Sequence, residues 1–81
     1  VMIGEMVKFK DYCNEMFASK VVGIFSDKYE DVKFINESFC YWSKKGKDYR
    51  NVKEKDMNSI YLEVESTRGK TDFITLDEVI T

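Results

Sequence analysis

Two thiols, Cys13 and Cys40, and not one histidine set the limits on the chemistry open to this chain. Imidazole is the side chain that titrates near neutrality, the commonest general base and a frequent metal ligand. Without it neither cysteine has a histidine to draw its proton and make it a nucleophile. Two thiols also cannot close a four-ligand zinc site within one chain, which leaves only an all-thiolate site shared by two chains. A separation of 27 positions is a weak disulfide framework beside the dense cysteines of small secreted scaffolds. Both thiols are therefore read as buried core groups, since free cysteine packs as a small hydrophobe.

Carboxylates offer little more. Glu63 and Glu65 stand two apart, a spacing that puts both on one side of a strand. Alternating outward charges are ordinary on an exposed sheet, so a catalytic or divalent-cation role is the minor reading. Gly69-Lys70-Thr71 matches the end of a phosphate-binding loop, but the glycine required five positions before the Gly-Lys pair is Val64, in mid-strand. Gly69 is better explained by a turn that needs positive φ. Asn36-Glu37-Ser38 fits a glycosylation sequon, which carries meaning only in a secreted chain. No catalytic residue, metal or cofactor is expected, and the chain reads as non-enzymatic.

Charge distribution carries more content. Net charge is −2, so the surface as a whole is no receptor for polyanions. Between positions 39 and 55, however, Lys44, Lys45, Lys47, Arg50, Lys53 and Lys55 meet only Asp48 and Glu54, a local balance of +4 against −6 elsewhere. Tyr41 and Tyr49 lie among these cations, and a cationic track with interleaved aromatics can hold a phosphate backbone while stacking bases. The bland alternative is a solvated loop rich in AT-codon residues. Phe, Ile, Lys, Asn and Tyr supply 32 of the 81 residues while Ala occurs once and Pro never, which points to an AT-rich genome such as a low-GC bacterium, a phage or a mobile element.

The elements that would position these groups follow from periodicity. Phe9, Tyr12, Cys13, Met16 and Phe17 recur at helical spacing and predict a helix over Lys8 to Ser19. Val21 to Phe25 suits a buried strand. From Asp27 to Lys45 a second helix is expected: Asp27 and Glu30 resemble a capping box, Tyr29, Val32, Ile35, Phe39 and Trp42 form the apolar stripe, and Gly46 stands at the left-handed C-cap. The competing reading pairs Val32 to Ile35 with Ser38 to Trp42 as a hairpin around Asn36-Glu37, a poor two-residue turn because the favoured ones have Gly second. Residues 46 to 58 read as a loop holding at most a short helical turn. Ser59 to Glu65 and Asp72 to Leu76 form a hairpin with Ile60, Leu62, Val64, Ile74 and Leu76 inward. Asp77 to Ile80 reads as a short turn whose Val79 and Ile80 cover the edge.

The order α-β-α-β-β makes the expected fold α+β, two helices packed on a small, mostly antiparallel three-stranded sheet in one domain of residues 1–81. The alternative is an N-terminal helix with a small SH3-like or open β-barrel. A domain this small buries only about 60–65% of its unfolded surface, so a homodimer would help its stability. No apolar run approaches the ~20 residues of a membrane span, and Val1 to Gly4 is too weak for a signal peptide, so no membrane is expected and the location reads as cytoplasmic. Val1 ahead of Met2 reads as a cloning remnant.

On the helical reading Phe34 and Tyr41, seven apart, turn outward beside the basic segment. The expectation is a small binding or inhibitory module for a protein partner, of the kind a phage or mobile element encodes, contacting it through Phe34, Tyr41, Lys44, Lys45, Lys47, Tyr49, Arg50, Lys53 and Lys55. A DNA- or RNA-binding protein using segment 44–55 is the runner-up.

Overall fold

A computed structural model describes residues 2–10 and 13–80. They form eight strands and two short 3-10 turns, with no α-helix among them: β1 (Met6–Lys10), β2 (Met16–Ser26), β3 (Lys33–Ile35), β4 (Ser38–Ser43), β5 (Asp48–Asn51), β6 (Ile60–Glu65), β7 (Thr71–Thr75) and β8 (Val79–Ile80). Antiparallel pairing builds a five-stranded sheet in the order β7-β6-β2-β1-β8 and a three-stranded sheet in the order β3-β4-β5. Two helices on a three-stranded sheet are therefore not what the chain builds, and the N-terminal helix of the alternative reading is absent as well. None of the described helical turns is long and apolar enough to cross a membrane.

The first expected helix is a hairpin. Its stripe is imitated because the register sets Phe9 opposite Phe17, eight positions on, where two turns of helix would also bring them to one face. Phe9 pairs with Phe17 across β1 and β2, ring centroids 6.1 Å apart. Tyr12 lies outside the described residues. Cys13 is exposed rather than buried, Cys40 is buried, and the two are not bonded to each other.

The second expected helix is also a hairpin, β3–β4, turning at Asn36 and Glu37 with φ of 49° and 64°. Positive φ at both central residues is the twist-matched turn, and Asn enters that region readily while Glu does so at a cost. Cross-strand packing of Phe34 on Phe39, centroids 4.8 Å apart, outweighs it. The turn expected to cap a helix at Asp27 is organised by Ser26, whose Oγ accepts the main-chain N–H groups of Lys28 (3.0 Å) and Tyr29 (3.2 Å). Lys47, at φ 53°, takes the left-handed position assigned to Gly46, as the last residue of the β4–β5 loop. The segment read as a loop contains β5 and the 3-10 turn Glu54–Ser59.

The β6–β7 hairpin is present, with Ile60, Leu62, Val64 and Ile74 buried and Gly69 at φ 80° in its turn. Leu76 starts a 3-10 turn instead of ending a strand, and Val79 and Ile80 pair with β1 along one edge of the sheet. One core gathers Val7, Phe9, Val21, Leu62, Val64 and Ile74, and a second gathers Val32, Phe39, Val52 and Ile60. Ile24 and Leu76 pack against both. The β2 register steps between Val21 and Gly23, so Val22 is an extra residue and Val21 and Ile24 both turn inward. Each fully buried Val, Leu or Ile contributes about 1.5–3 kcal/mol over exposure.

Candidate functional site

The hairpin geometry reverses four side chains relative to the helical expectation. Phe34 and Tyr41 are half-buried and pack on the second core, while Ile35 and Trp42 are each 37% exposed. Strand alternation is the cause: Phe39 and Tyr41 share the inner face of β4, so Trp42 must point out, and Ile35 lies on the same outer face. Phe34 and Tyr41 are thus not outward anchors.

The outer face of the small sheet carries Lys33 and Ile35 on β3, Cys40 and Trp42 on β4, and Tyr49 and Asn51 on β5. Trp42 pairs with Tyr49, edge to face at 5.2 Å between centroids. The Lys33 ammonium sits 5.2 Å from the centre of the Tyr49 ring, and the Tyr49 hydroxyl donates to Asp31. Tyr49 first, then Asp31, raises the Lys33 pKa above the ordinary ammonium value. Beneath these rings the Cys40 Sγ donates to Asn51 Oδ1 at 3.3 Å, which gives this thiol a packing role.

The rung next to Trp42 and Tyr49 is Ser43 opposite Asp48, and it closes the loop holding Lys44, Lys45 and Lys47. Lys44 pairs with Glu30 at 3.2 Å, and Arg50 Nε bonds Asp48 at 3.0 Å with its guanidinium folded back over Gly46. Lys45, Lys47, Lys53 and Lys55 make no ion pair among the described residues. Lys53 precedes the 3-10 turn and Lys55 lies within it, so these two stand apart from the hairpin tip in secondary structure. The structure therefore brings Lys45 and Lys47 to the end of the β4–β5 hairpin next to Tyr49, and adds Trp42 and Lys33, while Ile35 lies further along the same face, opposite Ser38. The rejected hairpin reading contained the signal for them, since alternation from Phe39 exposes Trp42.

The hairpin is anchored from below by Asp56. This buried carboxylate accepts the Lys28 ammonium at 2.7 Å and the Tyr29 hydroxyl, and the Tyr29 ring lies 4.3 Å from that of Tyr41. Lys28 first, then Tyr29, holds the Asp56 pKa below the ordinary carboxylate value, and the same hydroxyl bond raises that of Tyr29. Ser59 Oγ donates to the Asp56 carbonyl at 2.6 Å and meets Ser26 Oγ at 2.9 Å, tying the 3-10 turn to the end of β2.

A shallow groove of about 490 Å³ lies between β2 and β3, lined by Ile24, Phe25, Val32, Phe34 and Ile35 among others. No three His, Cys, Asp or Glu side chains gather as a metal site among the described residues. Compared with known proteins, the sequence matches no family model and no curated protein.

Proposed function

We propose that the protein is a small non-enzymatic module that docks on a protein partner through the outer face of the β3–β4–β5 sheet and the lysine loop beside it. The observation that carries the reading is the exposed Trp42, set edge to face against Tyr49, with the Lys33 ammonium over the Tyr49 ring and Asp31 on its hydroxyl. Aromatic anchors surrounded by polar groups are typical of protein interfaces, with tryptophan, tyrosine and arginine most often dominant. The unpaired Lys45 and Lys47 call for an acidic rim on the partner around a pocket for the indole.

Nucleic acid is the second reading, because a tryptophan beside unpaired lysines can also stack a base. The carboxylates Glu30, Asp31 and Asp48 weigh against it. Glu30 neutralises Lys44, Asp48 neutralises Arg50, and Asp31 holds the Tyr49 hydroxyl, so each would set a negative charge beside a bound phosphate.

Affinity purification from the source cell, repeated after nuclease treatment, separates the two readings. A partner retained after nuclease and lost with Trp42→Ala or with Lys45→Glu/Lys47→Glu supports protein docking. Loss on nuclease treatment, with binding that falls steeply as salt rises, moves the assignment to nucleic acid. A partner unaffected by either variant removes this face.

A further inference from the structure

We propose that the outer face of the large sheet, around Phe25, Tyr61, Phe73 and Glu63, receives a cationic side chain, arginine or lysine, from a partner polypeptide. Phe25 also lines the groove that reaches Ile35 and Lys33 on the small sheet, but the ring cluster with Glu63 lies on other strands than Trp42 and Tyr49 and stands on its own observations.

Three rings from three adjacent strands meet there. Phe25 stacks on Tyr61 with centroids 5.7 Å apart, and Phe73 packs edge-on against both, at 6.4 Å from Phe25 and 5.7 Å from Tyr61. Phe73 is 62% exposed and Phe25 is 42% exposed, so the cluster opens to water instead of closing a core. An exposed cluster of this kind marks a contact surface more often than a lone exposed ring does.

Glu63 decides what the surface takes. It stands in the row between Gly23 and Phe73, on the same face as the rings. The residue is half-buried, and its carboxylate makes no hydrogen bond or ion pair among the described residues. Glu65, two residues on, shares the face. Lys20 is opposite Glu65 and forms no ion pair with it.

An apolar partner closing over these rings would strip water from an unpaired carboxylate, which is costly. An acidic or phosphorylated partner would meet repulsion from Glu63 and Glu65. A guanidinium or ammonium satisfies both features at once, since it pairs with the carboxylate and is attracted to the negative faces of the rings.

The experiment titrates isotope-labelled protein with the blocked peptide Gly-Arg-Gly-Arg-Gly and with its counterpart carrying Gln for Arg, following backbone amide shifts. The arginine peptide is expected to move the amides of Phe25, Glu63 and Phe73 in a saturable way, and the glutamine peptide to leave them in place. Glu63→Gln and Phe73→Ala should each weaken the arginine peptide about threefold to tenfold. Thr71→Ala, on the same face and outside the ring cluster, should leave it unchanged. Equal shifts with both peptides, shifts that avoid these three amides, or indifference to both variants would overturn the proposal. Sedimentation of the protein alone adds a further arm. If these same residues shift as the protein self-associates, and Lys45→Glu/Lys47→Glu abolishes both effects, the occupant is the lysine loop of a second copy and the proposal of a distinct partner is overturned.

Discussion

The ring of Phe25 lies over the bare α-carbon of Gly23, so that a β-carbon there would stand 2.6 Å from the ring. A glycine inside a strand normally weakens it, and here a neighbouring aromatic covers the exposed backbone. Gly23→Ala should therefore cost about 1 kcal/mol, by driving the ring off Tyr61. In a Phe25→Ala background the same change should cost nothing. Urea denaturation of the four members of this cycle measures the coupling, and additive effects would refute the contact.

At the β3–β4 turn, Glu37 holds a φ of 64°, where glycine is at ease and glutamate is not. Glu37→Gly should raise stability by up to about 1 kcal/mol in urea denaturation. The same change inside a helix would lower stability by about 1 kcal/mol, so the sign alone distinguishes the two conformations.

Neighbours on β4 should respond unequally to truncation. Phe39 is buried in the second core, whereas the side chain of Trp42 looks outward. Phe39→Ala should cost about 3–5 kcal/mol and Trp42→Ala about 1 kcal/mol, both read from denaturation midpoints. Similar losses at the two positions would place both inside.

Acid should loosen the anchor beneath the hairpin. The folded-state pKa of Asp56 lies below the ordinary carboxylate value, chiefly through Lys28 and then Tyr29. Its contribution is then complete above the unfolded pKa of about 3.9 and is lost as pH falls through the lower folded value. Denaturation of the parent and of Asp56→Asn across this range should show the two stability curves converging towards acid. A constant gap would show that the charge is not what stabilises.

The β6–β7 hairpin could be read from the sequence because Ile60, Leu62 and Val64 alternate with polar residues and Gly69 marks the turn. The other two hairpins could not. Phe9 with Phe17 imitates a helical stripe through pairing across a turn, and the separation of seven between Phe34 and Tyr41 gives a shared face on a helix and on a two-residue hairpin alike. What differs is which face is inner, and that depends on the turn at Asn36-Glu37, whose residues only half fit it. The β2 bulge was hidden for another reason: Val21 to Phe25 is apolar throughout, so no alternation exists to show a skipped residue. Of the proposed contact residues, the lysines are visible in composition, whereas a helical period places Trp42 on the inside and only strand alternation turns it out.

Ile24 and Leu76 touch both groups of buried side chains, one from the bent central strand and one from the turn after β7. Neither sheet can open without stripping these two residues from the other's interior. Denaturation should therefore be one cooperative event followed alike by any spectroscopic probe, and a blow to either half is felt by the whole molecule.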